Sequence, residues 1–276
     1  HSYREMPLPL FEFGEVFRNE PSGSLQVLFR QRQFCQDDSH VFVDEAHLES
    51  SIEQYLLMAQ EVYQELGFEH VSFDISLRPQ ERFGSDRDWD KAENALKDAC
   101  HRQGIVFQEL PGEGAFYGPK IELKVKDKLG RSWQLGTLQL DYVLPERFDL
   151  EYVNEDNARV RPILLHHAVL GSLERMIGIL LEIFGVHLPA FLHPYPAKVL
   201  PVSEKSLAYA EQVALKLGCS VDASNERFGK KVAYWKSRGV VQFYVVGEQE
   251  AERFEKEGAM CAVLNEGSVR QEVNLV

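Results

Sequence analysis

Between residues 117 and 143 apolar and polar residues alternate, and that period limits the folds open to this chain more than any other feature. Ile121, Leu123 and Val125 are interleaved with polar residues, Asp127 to Arg131 offers a turn, and Trp133 to Val143 resumes the apolar pattern. A period of two buries one face of a strand, and two such runs across a short turn predict a β-hairpin. Part of the core must therefore be built on antiparallel sheet. Residues 163 to 184 are instead apolar almost all round, which predicts a strand running into a buried helix.

Helices are expected upstream of the hairpin. Leu48, Ile52, Tyr55, Leu56, Ala59, Val62, Tyr63 and Leu66 recur at helical spacing, with Asp44 able to cap a helix over 44–66 before Gly67. A short strand follows at 71–75. A second helix is expected over 88–102, with Ser85 or Asp86 near its start and Trp89, Ala92, Leu96 and Ala99 on one face. The 276 residues suffice for two domains. The proline-containing stretch 187–198 (HLPAFLHPYPAK) is the best boundary, giving domains 1–193 and 194–276. Beyond it, apolar runs at 199–202, 240–246 and 260–264 alternate with a helix over 205–217, as in a small α/β domain.

Several function classes are disfavoured. The apolar run around 176–186 is interrupted by Gly178, Glu182 and Gly185, so no membrane partner is expected. The first residues carry no signal-peptide core, and the four cysteines are scattered without a CxxC pair. Reduced thiols and a cytoplasmic location follow as expectations. A net charge of −13 argues against generic nucleic-acid binding, although a local basic surface remains compatible with it. The chain starts at His1 rather than Met, which leaves room for upstream sequence.

Three constellations carry chemistry. In FRNEPSGSLQVLFRQRQF, Pro21 to Ser24 form a turn between strand-like runs, which puts Arg18 and Arg30 on adjacent antiparallel strands. Guanidinium forks match pairs of phosphate oxygens, Glu20 can accept from an exocyclic amine, and Phe34 can cover a base. A surface hairpin with salt-bridged arginines is the bland alternative. In GSLER, Arg175 stands among Leu, Ile and Met and needs an anionic partner, either a ligand or Glu174. His40, at the end of QDDSH, and His166, in LLHHAVLGSLER, are candidate metal ligands. Most histidines are satisfied by ordinary hydrogen bonds. For Asp37 and Asp38 the alternative is a solvated turn, and for Tyr117 a core aromatic.

FRNE with its hairpin and second arginine resembles motif 2 of the class II aminoacyl-tRNA synthetases, and GSLER resembles their motif 3. The segments RNEPSGSL, QDDSH, EGAFYGPKIE, GTLQLDY and LGSLERMIGIL resemble the threonyl members of that family over nearly all of residues 2 to 195. The resemblance implies an α+β catalytic domain, an antiparallel six- or seven-stranded sheet flanked by helices, followed by a small α/β anticodon-binding-like domain. It implies activation of threonine by ATP with Mg2+, transfer to tRNA, and a homodimer. Arg18 would polarise the α-phosphate, Arg30 and Arg175 would hold the distal phosphates, and Phe34 would stack on adenine with Glu20 at its amino group. Gln134 and Thr137 complete the expected ATP site. Gln36, Asp38, Tyr117 and Gln139 would line the amino-acid site, with Asp38 on the threonine hydroxyl. His40 and His166 would bind Zn2+, the third ligand being a cysteine expected upstream of residue 1.

The resemblance implies that zinc separates threonine from valine, because a purely apolar pocket discriminates such near-isosteres only about 10- to 200-fold. Serine carries the same hydroxyl, and the family's N-terminal editing domain is not in this sequence. Two departures touch tRNA recognition. Gln26-Val27 stands where the family usually has His-Gly, and Leu264-Asn265-Glu266 stands where it usually has arginines. Asn225 to Lys231, 245–250 and Glu250, an anticodon-contact position, do match, whereas the family's final helix is not expected before Val276. The reading favoured is threonine activation and tRNA charging. A paralogue with another acceptor and a non-catalytic binding relative are the alternatives.

Overall fold

The computed structural model describes residues 1–248 and the backbone of 259–264 and 270–275. The chain divides into two compact units, His1–Ile183 and Phe184–Val276. The first runs through β1 (Leu8–Phe17), β2 (Gln33–Val43), α1 (Leu48–Glu65), β3 (Val71–Ser76), α2 (Asp86–Arg102), β4 (Phe107–Leu110), β5 (Lys120–Lys126) and β6 (Ser132–Asp141). There follow α3 (Val143–Arg147), β7 (Tyr152–Val153), β8 (Arg159–Val160), β9 (Ile163–Ala168) and α4 (Leu173–Phe184). Seven strands form one sheet in the order β1-β2-β9-β6-β5-β3-β4, antiparallel except for the β3–β4 pair.

The alternation along β5 divides the sheet into an apolar and a polar face. Ile121, Leu123, Leu138 and Leu140 are fully buried, as are Ile52 and Leu56 of α1 and Leu96 of α2. Each such side chain contributes roughly 1.5–3 kcal/mol of burial. The other face of β5 presents Lys120, Glu122 and Lys124, with Glu122 bridging Lys120 at 2.5 Å and Lys124 at 3.1 Å. Lys124 also reaches Asp74 of β3 at 2.6 Å. That charged row borders the candidate site.

The expected hairpin is β5–β6, and Asp127 builds its turn. Its carboxylate accepts from the backbone N–H of Leu129 (2.9 Å) and Arg131 (3.0 Å), from Arg131 Nε (2.6 Å) and from Trp133 Nε1 (2.9 Å). Burial alone would raise the Asp127 pKa, but these donors outweigh it and hold the carboxyl down to about 2. A folded-state pKa below the unfolded value contributes stability that is complete above about pH 4 and is lost as pH falls towards 2. Asp127→Asn is therefore expected to flatten the pH dependence of the urea midpoint over that window.

Two local expectations need correction. The first long helix begins at Leu48, not near Asp44, because Asp44 Oδ1 accepts the His47 N–H at 2.9 Å and closes a separate turn ahead of it. The helix after β9 is buried on one side only, through Met176, Ile179 and Leu180, while Ile177 and Leu181 lie outward. Its inner face meets the β1–β2 loop so closely that a Cβ on Gly178 would stand 3.1 Å from Leu28 Cβ.

In the second unit β10 (Ala197–Pro201), α5 (Leu207–Leu217), β11 (Ser220–Val221), α6 (Phe228–Lys236), β12 (Gln242–Val246), β13 (Ala259–Leu264) and β14 (Arg270–Leu275) form a five-stranded sheet, order β11-β10-β12-β13-β14. Val199 and Val246 pack with Tyr209, Ala210 and Val213 of α5. Leu200 and Phe243 pack with Val232 and Trp235 of α6. The division at Ile183/Phe184 lies ten residues before the 193/194 boundary read from the prolines. His193 explains why the stretch belongs with the second unit: its Nε2 lies 3.0 Å from the Arg238 carbonyl and 3.2 Å from that of Val186. Glu250, Asn265 and Glu266 lie outside the described residues, and only the backbone of Leu264 is described.

Candidate active site

The β1–β2 connection, the start of α4 and the polar face of β6 enclose a cavity of about 260 Å³ lined by Arg18, Glu20, Arg30, Phe34, Gln36 and Arg175, with Gln134, Thr137 and Gln139 along one wall. Nine of the thirteen residues singled out from the sequence thus meet in one place. Arg18 directly follows β1 and Arg30 precedes β2, so both sit in the connection rather than in the strands, where the Arg18 N–H donates to the Arg32 carbonyl at 2.8 Å. The Arg18 guanidinium lies 5.1 Å from the centre of the Phe34 ring.

The bland reading of the connection is realised in part. Glu20 Oε2 receives Arg30 through both Nε and Nη2 at 2.9 Å, and Ser24 Oγ at 3.5 Å. Arg175 is different. Glu174 spends both oxygens on the backbone N–H of Cys35 (3.0 and 3.1 Å) and accepts from Ser172 Oγ (3.0 Å). Arg175 donates instead to the carbonyls of Phe29 (2.8 Å) and Gln134 (3.1 Å). Among the described residues it has no carboxylate partner within 4 Å. Burial first, and then the charges of Arg18 and Arg30, push its pKa below the usual range. Three guanidinium groups thus share one cavity with a single neighbouring carboxylate from Glu20, an arrangement that an anionic ligand would stabilise.

The elements that place Arg175 are buried and polar. Asp37 takes three backbone N–H bonds from the turn before α4: Val169 (2.7 Å), Leu170 (2.9 Å) and Gly171 (2.7 Å). Burial raises the Asp37 pKa although these donors oppose it. Asp37 is no solvated turn residue, and Asp38 likewise lies within β2. Tyr55 and Tyr63 of α1 donate to the carbonyls of Ala168 (3.0 Å) and Val169 (2.8 Å), and Tyr63 Oη also accepts the Gly136 N–H (2.8 Å). Gly171 has φ +71°, and a Cβ there would stand 2.4 Å from the Leu135 carbonyl oxygen. Only glycine fits that approach.

The remaining four candidates belong to the sheet around Gln139. His40 and His166 face each other across the β2–β9 pair with ring centres 4.8 Å apart. His166 Nε2 lies 3.0 Å from Asp141 Oδ2, a fully buried carboxylate that also caps α3 through Val143 N. Tyr117 hydrogen-bonds Gln139 and its ring centre lies 5.5 Å from that of His166. Asp38 sits between Gln36 and His40 on β2, on their face of the strand. The two imidazoles suit a transition metal, and the Asp141 contact is the carboxylate–histidine arrangement common at such sites. Among the described residues no cluster of three or more His, Cys, Asp or Glu could hold a metal, so they supply two positions of the expected set.

Sequence reasoning passed over Lys120 and Gln31, which line the same cavity. The signal for Lys120 was the K-E-K alternation of β5, whose polar face reads as solvent-facing until the sheet order is known. Gln31 carried no signal. In the second unit the segment from Asn225 to Arg227 is exposed, and Lys231 is buried with Nζ donating to the Asp222 carbonyl at 3.0 Å. An open cavity of about 510 Å³ lies there between Ser224, Glu226, Lys230, Tyr234 and Trp235.

The departure at Gln26-Val27 has a structural counterpart. Val27 adopts φ +38° and is 85% exposed at the tip of the β1–β2 connection, where the Phe29 N–H returns to the Gln26 carbonyl. A β-branched residue in the left-handed region is strained by about 1–2 kcal/mol. Glycine relieves this at some cost in unfolded-state entropy. Val27→Gly is expected to stabilise the chain by about 0.5–1 kcal/mol, read from the urea midpoint.

Comparison with known proteins agrees with this geometry. Residues 1–184 match the model of the tRNA synthetase class II core domain (G, H, P, S and T), and residues 197–258 match the anticodon binding domain. The threonine–tRNA ligase of Burkholderia vietnamiensis is 47% identical over 254 residues, which are 90% of this chain and 40% of that protein. That of Ralstonia nicotianae is 45% identical over 273 residues, 97% of this chain and 42% of that protein. The chain thus spans about two fifths of the curated relatives it matches. The crystal structure of the RNA binding domain of threonyl-tRNA synthetase from Cryptosporidium parvum Iowa II superposes with a TM-score of 0.92 at 36% identity, covering 99% of this chain and 69% of that one. A cavity of three clustered arginines set on an antiparallel sheet, in a chain matched over nine tenths or more of its length in fold and sequence, means that this chain belongs to the class II tRNA synthetases and, within them, to the threonyl-tRNA synthetase family.

Proposed function

We propose that the protein activates threonine with ATP to threonyl-adenylate and transfers the threonyl group to tRNA. The observation that carries this reading is Arg175, half-buried, without a carboxylate partner among the described residues, and sharing its cavity with Arg18 and Arg30. ATP, entering with Mg2+, brings the negative charge that such a cluster stabilises. Arg18 is assigned to the α-phosphate, where it neutralises charge as the threonine carboxylate attacks in line and pyrophosphate leaves. Arg30 and Arg175 are assigned to the distal phosphates. Phe34 and Glu20 are assigned to the base, and Gln134 and Thr137 to the cavity wall beneath the nucleotide. Positioning and charge neutralisation supply most of the rate in such a reaction, since no protein group needs to form a covalent bond.

The amino-acid end is assigned to Gln36, Asp38, Tyr117 and Gln139, with Asp38 accepting from the threonine hydroxyl. His40 and His166 would hold Zn2+ together with a ligand from elsewhere in the full-length protein, and Asp141 would fix the His166 ring. Bound there, zinc would offer open positions to an amine and a hydroxyl, the group that valine lacks. Homodimerisation belongs to the same proposal, supported by the family and by Phe11, Phe13 and Phe17, each at least 60% exposed on the edge strand β1. Transfer to another acceptor is the second reading, favoured by Leu264 and Glu266 where the family usually carries arginines.

Two assays of the full-length natural protein test this. Threonine should become esterified to the 3′ end of tRNA, and an adenylate that forms without reaching tRNA would favour the second reading. Purified protein should contain about one zinc per chain and lose it on His40→Ala. Full activity without zinc would remove the metal from the account.

A further inference from the structure

Strand β6 carries an extra residue where it passes the cavity. Against β5, Thr137 pairs with Glu122 and Gln134 with Lys124, so Leu135 and Gly136 lie opposite the single residue Leu123. A β-bulge of this kind bends the strand, re-aims its groups and leaves one residue out of the ladder. Pairing with β9 also stops at Thr137–Ala168, just short of the bulge. Two carbonyls are turned by it. That of Gln134 accepts Arg175 Nη1 at 3.1 Å, and that of Leu135 lies against Gly171. The Gly136 N–H, buried within the bulge, is taken by Tyr63 Oη of α1 at 2.8 Å.

We propose that Tyr63 is a positioning residue for Arg175, its hydroxyl fixing the gap between the two cavity walls that hold the guanidinium. The side chain is 1% exposed and its oxygen works in both directions. It accepts the Gly136 N–H and donates to the Val169 carbonyl, each at 2.8 Å. The first partner belongs to the wall of Gln134 and Thr137, the second to the turn that leads through Gly171 and Ser172 to Arg175. Tyr55, by contrast, bonds only the Ala168 carbonyl, at 3.0 Å, and ties the helix to one wall. Gly136 completes the fit, since a Cβ there would stand 2.9 Å from both Tyr63 Oη and the Val169 oxygen. Burial pushes the Tyr63 pKa above its usual range, so the hydroxyl keeps the proton it donates. Without that hydroxyl, a buried N–H and a buried carbonyl lose their partner, and the shortest repair is to close on each other. Closure shifts the Gln134 carbonyl, and with it the guanidinium that this carbonyl orients. The inference rests on the ATP reading above and adds a residue from a helix that lines no part of the cavity.

The test is a double-mutant cycle on the full-length natural protein. It is read as kcat and KM in threonine-dependent pyrophosphate exchange, expressed per folded molecule. Tyr63→Phe alone is expected to lower kcat/KM for ATP about tenfold, the effect of a displaced donor, with KM for threonine within about twofold of wild type. In the Arg175→Ala background the same substitution should change the residual exchange by less than about twofold, because no guanidinium is left to place. A scaffold role lowers exchange by the same factor in both backgrounds. That result, or no loss in either, would overturn the assignment while leaving the ATP site standing. Gly136→Ala keeps the hydroxyl but forces the bulge away from it, and it should give the same cycle, including where Tyr63→Phe does not fold. Failure of folded wild type to show any threonine-dependent exchange would overturn the ATP reading and this inference with it.

Discussion

Arg175→Ala lowers threonine-dependent ATP–pyrophosphate exchange by at least about 10²- to 10³-fold, the effect of deleting a preorganised donor that faces developing charge. The expectation comes from where the guanidinium spends its hydrogen bonds. Two go to carbonyls, Phe29 and Gln134, which orient the group without neutralising it. A structural ion pair would have used Glu174, which is instead bonded to the Cys35 N–H. Removing a purely structural arginine costs stability and spares the chemistry. Here the reverse is expected. The variant sheds a cation that burial and two neighbouring arginines already disfavour, so its Tm should stay within a few degrees of wild type. Arg175→Lys should not rescue exchange, because an ammonium cannot reproduce the planar fork. A variant that unfolds yet keeps near-normal exchange per folded molecule would place Arg175 in the scaffold.

Asp37→Ala carries the largest expected loss of stability, about 3–5 kcal/mol. Three N–H groups of the turn before α4 converge on this one buried carboxylate. Each orphaned buried donor costs roughly 1–3 kcal/mol, partly offset where water can enter. Asp37→Asn keeps an acceptor but turns an N–H towards one of the donors, so it should fall between the two. Urea unfolding monitored by tryptophan fluorescence measures both, and a loss below about 1 kcal/mol for the alanine variant would contradict the role. The turn also carries the start of the helix bearing Arg175, so residual folded protein should show a raised KM for ATP.

The two effects explain what the sequence could and could not reveal. The alternation along Ile121, Leu123 and Val125 identified the β5–β6 hairpin because a half-buried strand has no other periodicity. Arg175 was conspicuous because a cation among aliphatic residues demands an explanation. Asp37 was misleading: next to Asp38 it reads as an exposed acidic pair, and only the antiparallel crossing of β2 against the turn after β9 makes it an internal acceptor. The same limit applies to Lys120 and Gln31. Their place at the cavity depends on sheet order and on the path of the β1–β2 connection, which are contacts between residues far apart in the chain. Asp44 failed as a cap for a related reason. Its side chain closes a local turn in competition with the helix that follows, a choice that composition does not decide. The two histidines came together through the family resemblance and not through spacing, since 126 residues separate His40 from His166.

The central claim is tested most directly by ATP–pyrophosphate exchange on the full-length natural protein, loaded with zinc and supplied in parallel with threonine, serine and valine. The account predicts exchange with threonine, weaker exchange with serine, and none above background with valine. Absence of exchange with all three amino acids in folded, zinc-loaded protein would contradict it, and would leave the arginine cavity as a binding site without chemistry.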